Sequence, residues 1–174
     1  MPLGRGNEWV VRFVDGLIEI MHGFARPSRG LLELAPAPDI RFELPAQCYD
    51  LVSAIQDNLD VRLVYIDVDL ECVTPDGHAF DIAQGATLML SLRRSEDGLN
   101  ALDEPPLLTL YLHADIYDPD SSGGDNERMA AANGPRLTAF LHRIETLGVT
   151  FEELDNPSCP GAKQYGFVDP DEST

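Results

Sequence analysis

Residues 61–72 read VRLVYIDVDLEC. Val64, Ile66, Val68, Leu70 and Cys72 alternate with Tyr65, Asp67, Asp69 and Glu71. A period of two sends successive side chains to opposite faces of an extended chain, so this stretch is a β-strand with one apolar and one polar face. Two further stretches share the pattern. In ATLMLSLRR (86–94), Leu88, Leu90 and Leu92 alternate with Thr87, Met89, Ser91 and Arg93. In PLLTLYLHADIY (106–117), Leu108, Leu110, Leu112, Ala114 and Ile116 alternate with Thr109, Tyr111, His113, Asp115 and Tyr117. Matching apolar faces on three strands define a sheet buried on one side, as antiparallel sheets commonly are.

That apolar face needs cover, and two helical stripes supply it. Cys48, Leu51, Val52, Ile55 and Leu59 fall at helical spacing after Pro45, a residue suited to a first helical turn. GPRLTAFLHRIETLG (134–148) carries Leu137, Phe140, Leu141, Ile144 and Leu147, with Pro135 early and Gly148 at its close. NERMAAAN before it reads as a separate helical turn, interrupted at Asn133-Gly134.

Elsewhere the signals are shorter. EWVVRFVD (8–15) and LIEIMH (17–22) read as two strands joined by Asp15-Gly16, a two-residue hairpin signal. GFARPSRG and ELAPAPD read as breaker-rich loops, and IRFEL (40–44) as a third short strand. TPDGHAF is a turn, RSEDGLNALDEPP a loop, and VTFEEL a last short strand. The predicted architecture is an α+β two-layer sandwich: a mainly antiparallel sheet with two helices packed on one face. A single domain is expected over residues 1–168, with an acidic, loose tail at 169–174.

Composition narrows the function classes. The net charge is −18, from 12 basic and 30 acidic residues in a chain of 174. Such a field repels nucleic acid and anionic membranes and attracts basic partners. Apolar runs are too short for a membrane helix, and the N-terminus lacks an apolar leader segment, so a cytoplasmic location is expected. Three cysteines, Cys48, Cys72 and Cys159, match no zinc pair and no redox pair, and are expected to be reduced thiols. Neither a phosphate-binding loop, nor a dinucleotide fingerprint, nor a nucleophile elbow occurs, and no cofactor is expected.

The polar face of the sheet is where function is expected. It collects Tyr65, Asp67, Asp69, Glu71, Tyr111, His113, Asp115 and Tyr117. The bland alternative is a solvated face, which alternation alone produces. Tyrosines add large contact area at low entropic cost, which points instead to docking. The leading expectation is a non-enzymatic bacterial interaction protein that binds, and inhibits, a basic protein partner. Immunity proteins offer an analogy in charge and size only. One alternative is a small enzyme or ligand-binding domain with His113 as general base beside a carboxylate. Another is a homodimer that buries the tyrosine face. A divalent ion on Asp67, Asp69, Glu71 and Asp115 is disfavoured by the lack of a nearby lysine. DIYDPDSSGGDNE (115–127) opens like a calcium loop at Asp118, but Met129 stands where the closing glutamate belongs. It reads as a flexible link in which Asp125 or Asn126 caps the next helix.

Overall fold

The computed structural model describes residues 8–58, 60–92, 106–119 and 126–149. Along the chain these form α1 (Glu8–Ile20), β1 (Ala25–Leu34), β2 (Ile40–Glu43), α2 (Cys48–Asp57), β3 (Val61–Val73), β4 (Ala79–Ser91), β5 (Leu107–Leu112) and α3 (Asn126–Glu145). The five strands make one antiparallel sheet in the order β2-β1-β3-β4-β5. The class is therefore the expected α+β sandwich, with three helices where the sequence predicted two.

β3 sits in the middle of the sheet, and its apolar file is sealed. Val64, Ile66, Val68, Leu70 and Cys72 are each at most 2% exposed. Ala86, Leu88 and Leu90 continue that face on β4, and Leu32 on β1. Leu51 and Ile55 from α2 join the same core, with Leu137, Phe140, Leu141 and Ile144 from α3. Each such side chain contributes about 1.5–3 kcal/mol on burial. Phe24 lies stacked on Phe140 at a centroid distance of 4.3 Å and is fully buried between the sheet and α3.

The N-terminal hairpin is overturned. Residues 8–20 are one helix. Val10, Phe13, Val14, Leu17 and Met21 are all buried, and their spacing of 3, 1, 3 and 4 is that of a helical stripe. The β-branched and aromatic residues, with Asp15-Gly16, imitate a hairpin locally. Gly16 is instead a close-approach site: a Cβ there would lie 2.9 Å from Leu147 Cδ2, so the glycine lets α1 pack tightly against the end of α3.

GFARPSRG is likewise not a loop. Ala25–Leu34 is a ten-residue strand paired with β2 on one side and β3 on the other. Pro27 is tolerated because the register with β3 shifts between Pro27 and Arg29, and because pairing with β2 begins only at Arg29. The turn TPDGHAF is shorter than expected, since β4 starts at Ala79. α2 starts at Cys48, so Pro45 precedes the helix rather than opening it. VTFEEL and the acidic tail lie outside the described residues.

α3 runs unbroken through Asn133-Gly134, where the sequence predicted an interruption. Asn133 is fully buried and ties the helix to the end of β3. Its Oδ1 accepts the Val73 N–H at 2.9 Å, while Nδ2 donates to Val73 O and Met129 O, both at 2.9 Å. A buried amide with all three bonds made is stabilising, and losing it strands the backbone groups of Val73. Asn133→Ala is expected to lower the unfolding free energy by about 2–3 kcal/mol. Urea denaturation followed by far-UV circular dichroism measures this, and an unchanged midpoint would contradict the assigned role.

Candidate functional site

The face of the sheet turned away from the helices is built in rows set by strand register. One row runs Glu43, Arg29, Asp67, Thr87 and Tyr111 from β2 to β5. The next runs Arg41, Leu31, Tyr65, Met89 and Thr109. A third holds Glu33, Leu63, Ser91 and Leu107. The face is thus neither purely acidic nor purely polar. Arginines from β1 and β2 stand between its carboxylates, and Leu31, Leu63, Tyr65 and Met89 are half-buried along its middle. Tyr111 and Leu107, on the outer strand, are 46% and 52% exposed.

Three strands are linked by one hydrogen-bond chain. The Thr87 hydroxyl donates to Asp67 Oδ1 at 2.7 Å. Its only proton is then committed, so His113 must supply the N–H in the 2.9 Å contact between its Nε2 and Thr87 Oγ1. His113 lies just past the end of β5 but stays in register, because its backbone N–H donates to Gly85 O at 2.9 Å.

Asp69 has a structural task. Between Val68 and Leu70 the register of β4 slips, and Gln84 takes a left-handed φ of 50°. The Asp69 carboxylate accepts the Gln84 N–H at 2.9 Å, holding this bulge. Gly85 follows, and a Cβ there would lie 2.6 Å from Leu70 Cδ1 in the core. Glu71 is held by arginines: Arg136 Nη2 lies 3.9 Å and Arg26 Nε 3.8 Å from its carboxylate. Arg136 also donates to the Glu71 carbonyl at 3.1 Å, and Arg26 pairs with Asp81. Tyr65 has its phenol pushed up from the ordinary value by partial burial first, then by Glu33, Tyr111 and Asp39.

Two expected site residues leave the strand. β5 ends at Leu112, so Asp115 sits in a turn closed by the Asp118 N–H on its carbonyl at 2.9 Å. The Asp115 side chain remains exposed. Tyr117 is a correction: it is 1% exposed and packs into the core beside Phe24, at a centroid distance of 6.1 Å. The turn reverses the alternation that would have placed it on the open face. Its hydroxyl is buried without a well-formed hydrogen bond and neighbours the Cys72 thiol. The Asn126 amide donates to the carbonyls of Asp115 at 3.2 Å and Asp118 at 3.5 Å, tying the start of α3 to the turn after β5; Asp125, the other expected cap, lies outside the described residues. Residues 120–125, on which the calcium reading rests, lie outside the described residues, as do Arg93 and Cys159.

Sequence reasoning therefore found Tyr65, Asp67, Asp69, Glu71, Tyr111 and His113 on one connected surface. It missed Arg26, Arg29 and Leu31, because a proline and a bulge disguised β1. It missed Thr87 as the link to His113, since pairing across strands is not written in either strand alone. Among the described residues no three His, Cys, Asp or Glu side chains come together to hold a metal ion. No helix among them is long and apolar enough to cross a membrane. Compared with known protein families, curated proteins and solved structures, the chain matches none.

The Tyr117–Cys72 contact sets an alkaline limit on stability. Burial, chiefly, pushes the Cys72 thiol from 9.0 up to about 11, and burial raises the Tyr117 phenol as well. Both groups lose protons more readily in the unfolded chain. The stability the thiol carries is intact below its unfolded value of 9.0 and is lost as pH rises through its folded value of about 11; the phenol's contribution starts to fall above its own ordinary value of 10.0. Tyr117→Phe removes an unsatisfied hydroxyl and keeps the ring, so it is expected to stabilise the protein by about 1 kcal/mol and to soften the alkaline loss. Thermal melts of both proteins between neutral pH and the alkaline limb check this; a clearly destabilised variant would mean that the hydroxyl is satisfied.

Proposed function

We propose that this chain is an acidic, non-enzymatic interaction module that binds and inhibits a basic protein through the open face of its sheet. The contacts are Tyr65, Asp67, Asp69, Glu71, Tyr111, His113 and Asp115, without Tyr117. One observation carries the reading: half-buried and exposed apolar side chains, Leu63, Tyr65, Met89, Leu107 and Tyr111, lie beside carboxylates on a face that no described helix covers. Aromatic anchors ringed by charge are the usual composition of a protein-docking surface. The net charge of −18 supports fast, steered association with a cationic surface. An immunity-like role in a bacterial cytoplasm fits this charge and size, by analogy alone.

A second reading draws on the Asp67–Thr87–His113 chain. A neutral His113 ring that donates Nε2–H to Thr87 presents its Nδ1 lone pair as a base. A neighbouring nucleophile and a set of oxyanion donors would be needed to make this an enzyme, so docking is preferred.

Affinity capture from the native cell tests the proposal. A basic partner is expected to be retained at low ionic strength and released at high salt, where charges beyond a few ångströms are screened. Tyr111→Ala combined with Asp115→Lys is expected to weaken capture of that partner by at least about tenfold, a loss of roughly 1.4 kcal/mol. Both positions are exposed, so the fold is expected to survive. Capture of the same partner, undiminished by the double variant and by Asp67→Lys, would remove this face from consideration.

A further inference from the structure

The two edges of the sheet are unequal. β2, at one edge, is four residues long and carries Arg41 and Glu43, charges that discourage pairing with another strand. β5, the outer strand at the other edge among the described residues, reads LLTLYL, with neither charge nor proline. Its core-side residues Leu108, Leu110 and Leu112 are only half-buried, although Leu88 and Leu90 beside them are sealed. Its open-face residues Leu107 and Tyr111 are, with Tyr49, the large apolar side chains most exposed among the described residues.

The register states which backbone groups are unpaired within the sheet. His113 donates its N–H to Gly85 O, and the pairing of Leu112 with Ala86 continues that register without a slip. In an antiparallel ladder the inward and outward groups alternate by residue. The odd-numbered residues of β5 therefore turn their N–H and C=O toward β4, and Leu108, Leu110 and Leu112 turn theirs outward.

We propose that β5 pairs antiparallel with β5 of a second copy of this chain, about a two-fold axis at Thr109, making one continuous ten-stranded sheet. This register is self-complementary. Leu108 of each copy exchanges both backbone hydrogen bonds with Leu110 of the other. Thr109 faces Thr109, and Leu107 faces Tyr111, so the exposed apolar side chains cover each other. β5 itself carries no charge, so pairing it with its own copy sets no like charges directly opposite each other within the strand. The axis stands perpendicular to the sheet, so both open faces point the same way and join into one surface. Self-pairing does not depend on the proposed binding of a basic protein, and purified chain alone tests it.

Sedimentation velocity of the purified chain at low salt and at about 0.5 M salt is the experiment, since screening removes the mutual repulsion. A dimer that strengthens with salt is expected, opposite in sign to the capture of a basic partner. Thr109→Lys places two like charges on the axis and is expected to weaken the dimer by at least about tenfold. Far-UV circular dichroism checks that this variant is folded. In a background with Cys48→Ser and Cys159→Ser, Thr109→Cys is expected to oxidise to a covalent dimer. The facing pair is a non-hydrogen-bonded one, with Cα atoms about 4.5 Å apart, within the span of a disulfide. Cross-linking decides the matter should Thr109→Lys fail to fold. A wild-type chain that stays monomeric at both salt concentrations overturns the proposal, and so does a dimer in which Thr109→Cys does not cross-link.

Discussion

Val64, Ile66, Val68, Leu70 and Cys72 stand in one file on the central strand, and water reaches none of them appreciably. The file closes only when something apolar lies across it, and the three helices do so. α2 brings Leu51 and Ile55, α3 brings Leu137, Phe140 and Ile144, and α1 brings Val14 and Leu17. Pairing on both sides of β3 follows from the same constraint, since its backbone groups are buried with its side chains and must bond to β1 and β4. Asn133 is where sheet and helix layers meet in polar rather than apolar terms, and it serves Val73 where β3 ends.

The alternation that seals one face of β3 also exposes Tyr65, Asp67, Asp69 and Glu71 on the other. Their surroundings temper the overall charge. Asp67 lies between Arg29 and Thr87, Asp69 is spent on the β4 bulge, and Glu71 is held by Arg26 and Arg136. A molecule with net charge −18 thus presents a face of locally mixed sign with apolar side chains through its middle. Charge of the whole chain governs approach, while this local pattern governs fit.

The strands and helices read most clearly were those whose packing partners impose a simple period. β3, β2 and the stripes of α2 and α3 are of this kind. Where two periods compete, local signals misled. In residues 8–22, β-branched residues and Asp15-Gly16 favour a hairpin, while the 3, 1, 3, 4 spacing of Val10, Phe13, Val14, Leu17 and Met21 favours a helix. Packing against α2 and α3 settled the contest, because a helix buries that stripe whole. In β1, Pro27 and Gly30 look like breakers, but a bulge accommodates the proline and β3 supplies the pairing.

By itself, then, the sequence determined which face of each long strand is apolar, the α+β class, the acidic field, and the surface on which Tyr65, Asp67 and Tyr111 gather. These depend on side-chain type and period, properties of the chain taken locally. Only the tertiary structure decided that residues 8–20 are helical, that Arg29 and Leu31 join the open face, that Thr87 connects Asp67 to His113, and that Tyr117 turns inward. Each of these depends on register between segments distant in the chain, or on a turn that resets the alternation. Register is set by pairing and burial together, and neither is encoded in any one segment.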